Sequence, residues 1–212
     1  IIVYSLFPTV LLSNQEILTT NTFSSGFNSD NFQQDIIYSL IIDIDGSVNL
    51  NSYEGSGYII DIQNRPGRVG FPEVIESKIG NPRLVKFREI ETDRLLQVKG
   101  WDLKLGNQTF WNLYVMSFGS NINLNNLNLI NTEIIGTGDI NMGKNLNSGD
   151  IFISGNFNIY VDTSLPIVVI GSAEVPAGWI DATIGYLNQT NENYKFKVIV
   201  EEGSNVVFQN GE

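Results

Sequence analysis

Carboxylates and tryptophans are the side chains of this sequence best suited to chemistry on a sugar. Glycoside hydrolysis needs two carboxylates at a defined separation, and aromatic rings can stack on the sugar between them. The candidates are Glu73, Glu76, Glu89, Glu91 and Asp93, together with Trp101, Trp111 and Trp179. Alternation predicts that the last three carboxylates lie on the solvent side of a strand and the turn after it. Tryptophan more often fills a β core than a ligand site, so we expect no enzyme.

Two reactive residue types are missing altogether. The 212 residues contain no cysteine and no histidine, which excludes disulfides, thiol nucleophiles, imidazole bases and the common zinc sites. Asp43 to Gly46 resembles part of a calcium loop, but the glycine comes two positions too early for the EF-hand pattern. A tight turn explains these residues better, and we expect no cofactor. A structural calcium ion elsewhere in the acidic loops stays open.

The charge of the chain restricts its partners. A net charge of −11 and an isoelectric point near 4.4 argue against nucleic acid, whose phosphates need clustered Lys and Arg. Only 17% of the residues are charged, and uncharged asparagine supplies much of the polarity with 26 copies. No apolar run reaches the roughly 18 residues that a membrane-spanning helix requires. We therefore expect neither a nucleic-acid partner nor a membrane span.

Two features of the chain favour export from the cell. It begins at Ile1 without an initiator methionine or a basic leader, which is typical of a mature exported product or of a trimmed chain. Two N-x-T sequons start at Asn107 and Asn188, and we take these residues as glycosylation candidates. Two sequons are expected by chance in a chain this rich in asparagine, so they favour an extracellular location only weakly.

Apolar and polar residues alternate along most of the chain. In 151–161 the apolar side chains point one way and the polar ones the other, as in a half-buried strand. No apolar pattern of helical spacing is sustained over three turns. The sequence therefore predicts an all-β fold, and we expect one immunoglobulin-like β-sandwich over 35–212 with decorating hairpins.

Turn residues divide these strands. Asp45-Gly46 lies between two alternating runs and predicts a β-hairpin, because both central residues of such a turn need positive φ. The alternation slips phase at Asn125-Asn126, which predicts a β-bulge. Gly-Asp-Ile occurs at 138–140 and again at 149–151. One short echo does not indicate a repeat architecture.

The first twelve residues form an apolar segment. Nine of them are apolar, and as a strand they would extend over about 40 Å. One face of that strand would carry Ile2, Tyr4, Leu6, Val10 and Leu12. A stretch rich in Ser, Asn and Gly follows. We therefore divide this region into an arm at 1–12 and a hinge or linker at 13–34.

Such an arm needs a place to bury its apolar surface and to pair its backbone. Three interpretations are open. The segment is the first strand of its own sandwich, or a remnant of a membrane or signal segment, or an arm that completes the sheet of a neighbouring copy. Twelve residues are too few to span a bilayer, which disfavours the second interpretation. In the third, each copy offers one arm and one acceptor groove, so the product is an open head-to-tail filament.

The apolar arm Ile1–Leu12, the polar hinge and the cysteine-free β-region together resemble the donor-strand pilins, and most of all the thread pilins of thermoacidophilic archaea. The resemblance implies an immunoglobulin-like sandwich that lacks one strand, which the adjacent subunit donates. It also implies glycosylation, and it permits Lys–Asn isopeptide crosslinks. Bacterial relatives often carry a disulfide, which this chain lacks.

The sequence thus predicts a structural subunit of an extracellular surface filament, assembled by donor-strand complementation and serving adhesion. Its partners would be copies of itself and N-linked glycans. Two alternatives stay open. One is a secreted carbohydrate-binding or adhesin β-sandwich with 1–12 as its own first strand. The other is a viral jelly-roll coat protein.

Overall fold

A computed structural model describes residues 19–24, 36–64, 73–77, 79–88, 100–143, 145–171, 179–182, 185–188, 194–201 and 203–209. Within these ranges the chain forms 15 strands and no helix. The strands are β1 (Thr19–Ser24), β2 (Ile37–Asp43), β3 (Val48–Tyr53), β4 (Tyr58–Asn64), β5 (Glu73–Glu76), β6 (Arg83–Arg88), β7 (Gly100–Gly106), β8 (Phe110–Asn123), β9 (Asn128–Met142), β10 (Ile151–Asp162), β11 (Ile167–Ile170), β12 (Trp179–Ala182), β13 (Gly185–Asn188), β14 (Phe196–Val200) and β15 (Asn205–Gln209). The predicted all-β class is confirmed.

The three longest strands stack side by side in parallel. β9 pairs with β8 on one side and with β10 on the other. Along β8, the first half pairs with β2 and the second half with β3, which are separate strands. Each long strand therefore contributes one segment to each of two layers.

The two layers have different strand orders. Layer 1 runs β5-β6-β2-β8-β9-β10-β14-β11-β13-β12 and uses the first halves of the long strands. Layer 2 runs β1-β4-β7-β3-β8-β9-β10-β15 and uses their second halves. Antiparallel pairing is confined to the ends of the layers, at β1-β4-β7, β5-β6 and β11-β13-β12.

The inner sides of both layers share one hydrophobic core. Phe87 of layer 1 packs its ring against Trp101 and Phe23 of layer 2, with ring centroids 6.0 and 5.5 Å apart. Tyr38 and Tyr58 meet across the layers in the same way, at 6.3 Å. The side chains that alternate inward along the strands are almost completely buried. This two-layer packing is consistent with the predicted β-sandwich.

The pairing directions correct the immunoglobulin-like part of the prediction. Immunoglobulin domains pair their strands antiparallel, whereas the long strands here pair in parallel. Parallel neighbours need a crossover connection, and the chain supplies it by passing through the other layer before it returns. Alternation of apolar and polar residues is the same in both arrangements, so the sequence pattern did not distinguish them.

Two local predictions also need correction. Asp45-Gly46 is a bend between β2 and β3, which do not pair with each other. The carbonyl oxygen of Gly46 accepts a hydrogen bond from the Phe118 amide over 3.0 Å, so this bend stacks on the bend of β8. Asn125-Asn126 is the turn between β8 and β9, with Asn126 at a φ of 62°, and not a bulge.

A repeat of about 19 residues, which the sequence pattern did not reveal, relates the long strands β8, β9 and β10. Asn131 donates to Asn112, and Asn147 donates to Asn128, each pair lying 19 positions apart. The insertion of β4 to β7 separates β2 and β3, which pair with the two halves of β8, from the rest of this stack in the sequence. The two Gly-Asp-Ile triplets, at 138–140 and 149–151, do not follow this spacing.

Glycine allows the bends of successive long strands to stack closely. Gly136 of β9 has a φ of +132°, and a Cβ there would lie 1.7 Å from the carbonyl oxygen of Ser117. Gly155 of β10 has a φ of +118°, and its Cβ would lie 2.0 Å from the carbonyl oxygen of Gly136. A side chain at either position would separate the strands at the bend.

The predicted arm at 1–12 lies outside the described residues. Of the predicted hinge at 13–34, only 19–24 is described, and it forms β1, which pairs with β4. Among the described residues, no helix has the length and apolar character needed to cross a bilayer.

Candidate binding face

A column of polar side chains crosses the outer surface of layer 2. One residue from each of eight strands takes part, and the strand register aligns them. In spatial order they are Thr22, Asp61, Asp102, Asn49, Asn121, Asp139, Asn158 and Asn205. Neighbouring strands lie about 4.8 Å apart, so the column extends over about 34 Å. We call these eight residues the polar column.

The polar column faces outward because its sequence neighbours are apolar and face the core. Leu50 follows Asn49, Ile122 follows Asn121, and both are fully buried. Successive side chains of a strand point to opposite sides, so burial of the one exposes the other. The same alternation repeats on every strand of layer 2. The strand register, antiparallel at β1-β4-β7 and parallel from β7 onward, brings the outward residues into line.

Hydrogen bonds along the polar column fix its carboxylates. Thr22 Oγ1 donates to Oδ1 of Asp61 over 2.6 Å. Asn49 Nδ2 donates to Oδ1 of Asp102 over 2.9 Å. Asn158 Nδ2 donates to Oδ1 of Asp139 over 3.0 Å. Each of the three carboxylates is therefore held by a neighbour in the column and presents a defined orientation to solvent.

A shallow groove of about 240 Å³ lies beside the polar column. Its floor contains Gly100, Ser47 and Gly119, which occupy successive outward positions on the strands and bends of layer 2. A Cβ built on either glycine would meet no heavy atom within 4 Å. The groove exists because three neighbouring positions carry a small side chain or none.

The wall of the groove offers hydrogen-bonding groups that are not already used. Asn49 is not one of these groups, because its amide already donates to Asp102 and accepts from Asn51 over 3.2 Å. Within the described part of the chain, the second carboxylate oxygen of Asp102 and the side chain of Asn121 make no hydrogen bond. Gln63 contributes a further amide at one end. The groove therefore presents both acceptors and donors.

The charge of this surface is mainly negative. Asp61, Asp102 and Asp139 lie in the polar column, and Lys104 projects from β7 on the same side. In the described ranges, no group of three or more acidic side chains is placed to hold a metal ion. The carboxylates of the column accept hydrogen bonds, and its amides both donate and accept them.

The first predicted sequon lies in the turn after β7. Asn107 accepts a hydrogen bond at Oδ1 from the Gly55 amide over 3.3 Å. Thr109 is buried, and its Oγ1 accepts from the amide of Gly57 over 2.8 Å. Asn188, the second sequon, is the last residue of β13, and its side chain lies outside the described part of the structure. The predicted donor-strand residues Ile2, Tyr4, Leu6, Val10 and Leu12 also lie outside it. Glycosylation and donor-strand roles stay predictions.

The residues considered for sugar chemistry are not gathered into a cleft within the described part. Glu73 and Glu76 lie exposed on β5 at the edge of layer 1. Trp101 and Trp111 are buried in the core, and the Trp111 indole donates to the Gly106 carbonyl oxygen over 3.1 Å. The predicted core role of these two tryptophans is confirmed. The remaining candidates, Glu89, Glu91, Asp93 and the Trp179 side chain, lie outside the described residues.

The polar column and its groove were not found from the sequence. The signal was present in part, as asparagine recurring beside buried aliphatic residues at Asn49, Asn121 and Asn158. Their alignment depends on which strands are neighbours, and the sequence pattern did not contain that information.

The fold has a known counterpart. A crystal structure of a candidate cell adhesion protein from Clostridium sporogenes matches with a TM-score of 0.62 over 92% of this chain and 97% of that one. The two sequences are 13% identical, so the likeness shows the fold alone. No family model matches this chain, and no curated protein matches it significantly.

Two further solved structures match less well. A candidate adhesin from Bacteroides fragilis has a TM-score of 0.38 and 10% identity, with 91% of this chain and 97% of that one covered. One from Parabacteroides distasonis has a TM-score of 0.40 and 11% identity, with 70% and 58% covered. These scores are too low to support an argument. The Clostridium sporogenes match is a bacterial protein and lends no support to the archaeal pilin resemblance.

Proposed function

We propose that this protein is a cell-surface adhesion protein that contacts its target through the outer side of layer 2. The observation that carries the proposal is the polar column, which repeats Asp, Asn and Thr across eight neighbouring strands. The fold it shares with the Clostridium sporogenes protein, which is described as a candidate cell adhesion protein, supports the same assignment. An extracellular, cell-surface location follows from this function.

The geometry of the polar column suits contact with an extended surface. Its side chains recur at the strand spacing of about 4.8 Å, so neighbouring groups of a repetitive target can be bound at once. Hydrogen bonds such as that from Asn158 to Asp139 hold the side chains before contact is made. Groups that are already ordered lose less entropy on binding. Many weak contacts then add up to firm attachment.

Attachment of protein-coated beads to cells tests this proposal. In the variant Asn121→Arg with Asn158→Arg, two long cations interrupt the polar column, and we expect the beads to detach at low shear. The matched control is Asn131→Arg with Phe152→Arg, which adds the same charge at two residues exposed on the outer side of layer 1. Equal attachment by both double variants, or equal loss, would contradict the proposal.

Assembly into a head-to-tail filament is the finer form of the proposal. Residues 1–12 of one copy would add as a strand to a sheet of the next copy. Within the described part, β15 pairs with β10 along one side only and leaves its other side as an edge in layer 2. An edge strand is a template for pairing with another chain, which makes it a candidate acceptor for the arm.

Removal of residues 1–12 tests the filament. The expected result is a folded monomer by analytical ultracentrifugation, where the full chain forms filaments visible by electron microscopy. Since the deletion could itself impair folding, Leu6→Asp in the full chain provides a second variant that only disfavours burial of the arm. Filaments formed equally well by either folded variant would reject donor-strand assembly, as would a full chain that stays monomeric.

A further inference from the structure

We propose that the groove beside the polar column is a binding site for a neutral sugar or a similar polyol. The inference rests on the proposed adhesive function and names the class of ligand that the surface would take. It depends on the size of the groove, on the hydrogen-bonding groups along its wall and on the small residues of its floor.

The dimensions of the groove fit one sugar ring or two. Gly100, Ser47 and Gly119 are aligned across three neighbouring strand positions, which corresponds to about 10 Å of floor. Gln63 lies at one end of this row, and Thr137, which accepts the Gly119 amide at Oγ1 over 2.9 Å, lies at the other. The groove is therefore bounded by larger polar side chains at both ends.

The fold does not require glycine at position 100. Gly100 has no positive φ, and a Cβ there would meet no heavy atom within 4 Å. Glycine in a strand weakens the strand and leaves no side chain to pack. A side chain would fit at this position and would fill the groove. Its absence keeps the space open, which is consistent with a binding role.

The groups on the wall match hydroxyls better than they match ions. The Asp102 carboxylate accepts hydrogen bonds only, whereas the amides of Asn121 and Gln63 both donate and accept. A hydroxyl group also does both, so adjacent hydroxyls can satisfy this mixed set completely. An ammonium or guanidinium group only donates, so it would use the acceptors of the groove and none of its amide N–H donors.

Anionic ligands are disfavoured by charge. Asp61, Asp102 and Asp139 all lie in the polar column beside the groove, and their carboxylates repel an acidic sugar. The ring of Trp101 lies beneath the floor and is buried, so it offers no exposed face for stacking. Recognition would therefore rest on hydrogen bonds to hydroxyls.

The full chain, labelled with ¹⁵N, can be titrated with three matched probes by NMR. These are methyl glucoside, which is neutral, glucosamine, which is cationic, and glucuronate, which is anionic. We expect the methyl glucoside to shift the backbone amides of Gly100, Gly119 and Asn121 with a saturable curve. Glucuronate, which the carboxylates of the polar column repel, should bind more weakly. Shifts confined to other residues, or preference for a charged probe, would overturn the proposal.

The variant Gly100→Val fills the groove and should weaken binding of methyl glucoside about tenfold or more by removing its contacts. Asp102→Asn keeps the shape, removes the charged acceptor and should also weaken binding, by about tenfold. Asn131→Val, at an exposed side chain on the outer side of layer 1 and away from the groove, is the control and should bind normally. Thermal unfolding confirms that each variant is folded. Unchanged affinity in Gly100→Val would overturn the proposal.

The two proposals fail in different ways. If beads coated with Gly100→Val attach normally while the Asn121→Arg, Asn158→Arg variant does not, adhesion stands and the groove is not its binding site. If methyl glucoside binds in the groove but protein-coated beads never attach to cells, the sugar site stands and the adhesive function fails.

Discussion

Asn158 donates a hydrogen bond from Nδ2 to Oδ1 of Asp139 over 3.0 Å, although the two residues lie 19 positions apart. The same separation joins Asn131 to Asn112 over 3.0 Å on layer 1. Both bonds link outward side chains at stacked positions of neighbouring parallel strands. Polar ladders of this kind therefore reinforce the register of the stack on both outer surfaces.

A double-mutant cycle on this pair measures what one step of the ladder contributes. Asn158→Ala and Asp139→Ala should show a coupling free energy of about 0.5–1.5 kcal/mol in urea unfolding, because each removes the same exposed hydrogen bond. The control combines Asp139→Ala with Asn205→Ala, two residues that are not neighbours in the polar column. That pair should be additive within about 0.5 kcal/mol. Equal coupling in both cycles would show that the ladder bond is not its source.

Gly136→Ala should destabilise the fold by about 2–4 kcal/mol. The new Cβ would lie 1.7 Å from the carbonyl oxygen of Ser117, and the residue holds a φ of +132°. Chemical denaturation gives the difference in the free energy of unfolding. Gly100→Ala is the matched control, and it should be neutral or stabilising by up to about 1 kcal/mol. Similar losses in both variants would mean that close stacking at the bend is not the cause.

Phe87→Ala should cost about 3–5 kcal/mol of stability. Phe87 is fully buried, and its ring contacts those of Phe23, Tyr58 and Trp101 from layer 2. The substitution leaves a cavity between the layers. Phe152→Ala, at a side chain 50% exposed on the outer side of layer 1, should change stability by no more than about 0.5 kcal/mol. A small effect at Phe87 would contradict the shared core.

Stability should fall as the pH rises above about 10. Burial raises the pKa of Tyr58, helped by the nearby Glu76 charge, and burial also raises the pKa of Tyr38. Below the pKa of the unfolded chain both states hold the proton, so stability is unaffected. Above it the unfolded chain loses protons that the folded chain keeps, and this favours unfolding. Thermal melts across this pH range measure the slope, and Tyr58→Phe should flatten it. Identical slopes in the two proteins would contradict the assignment to Tyr58.

Local pattern was sufficient to predict many of the strands. The alternation in 151–161 correctly identified Ile151, Ile153 and Phe157 as inward-facing residues, and all three are buried in β10. Asn125-Asn126 was recognised as an irregularity but assigned to a bulge, because a phase slip is also what a turn between two strands produces. The pattern reports that the chain changes direction and does not report where it goes next.

The sequence by itself determined the all-β class and most of the residues that face the core, because the side-chain period of two is a local property of an extended chain. Tertiary structure alone decided that the long strands pair in parallel, that eight polar residues form one column and that small residues open a groove beside it. The physical reason is sequence distance. Asn49 meets Asp102 across 53 positions, and an alternating pattern says which side of a strand is buried without saying which strand lies next to it.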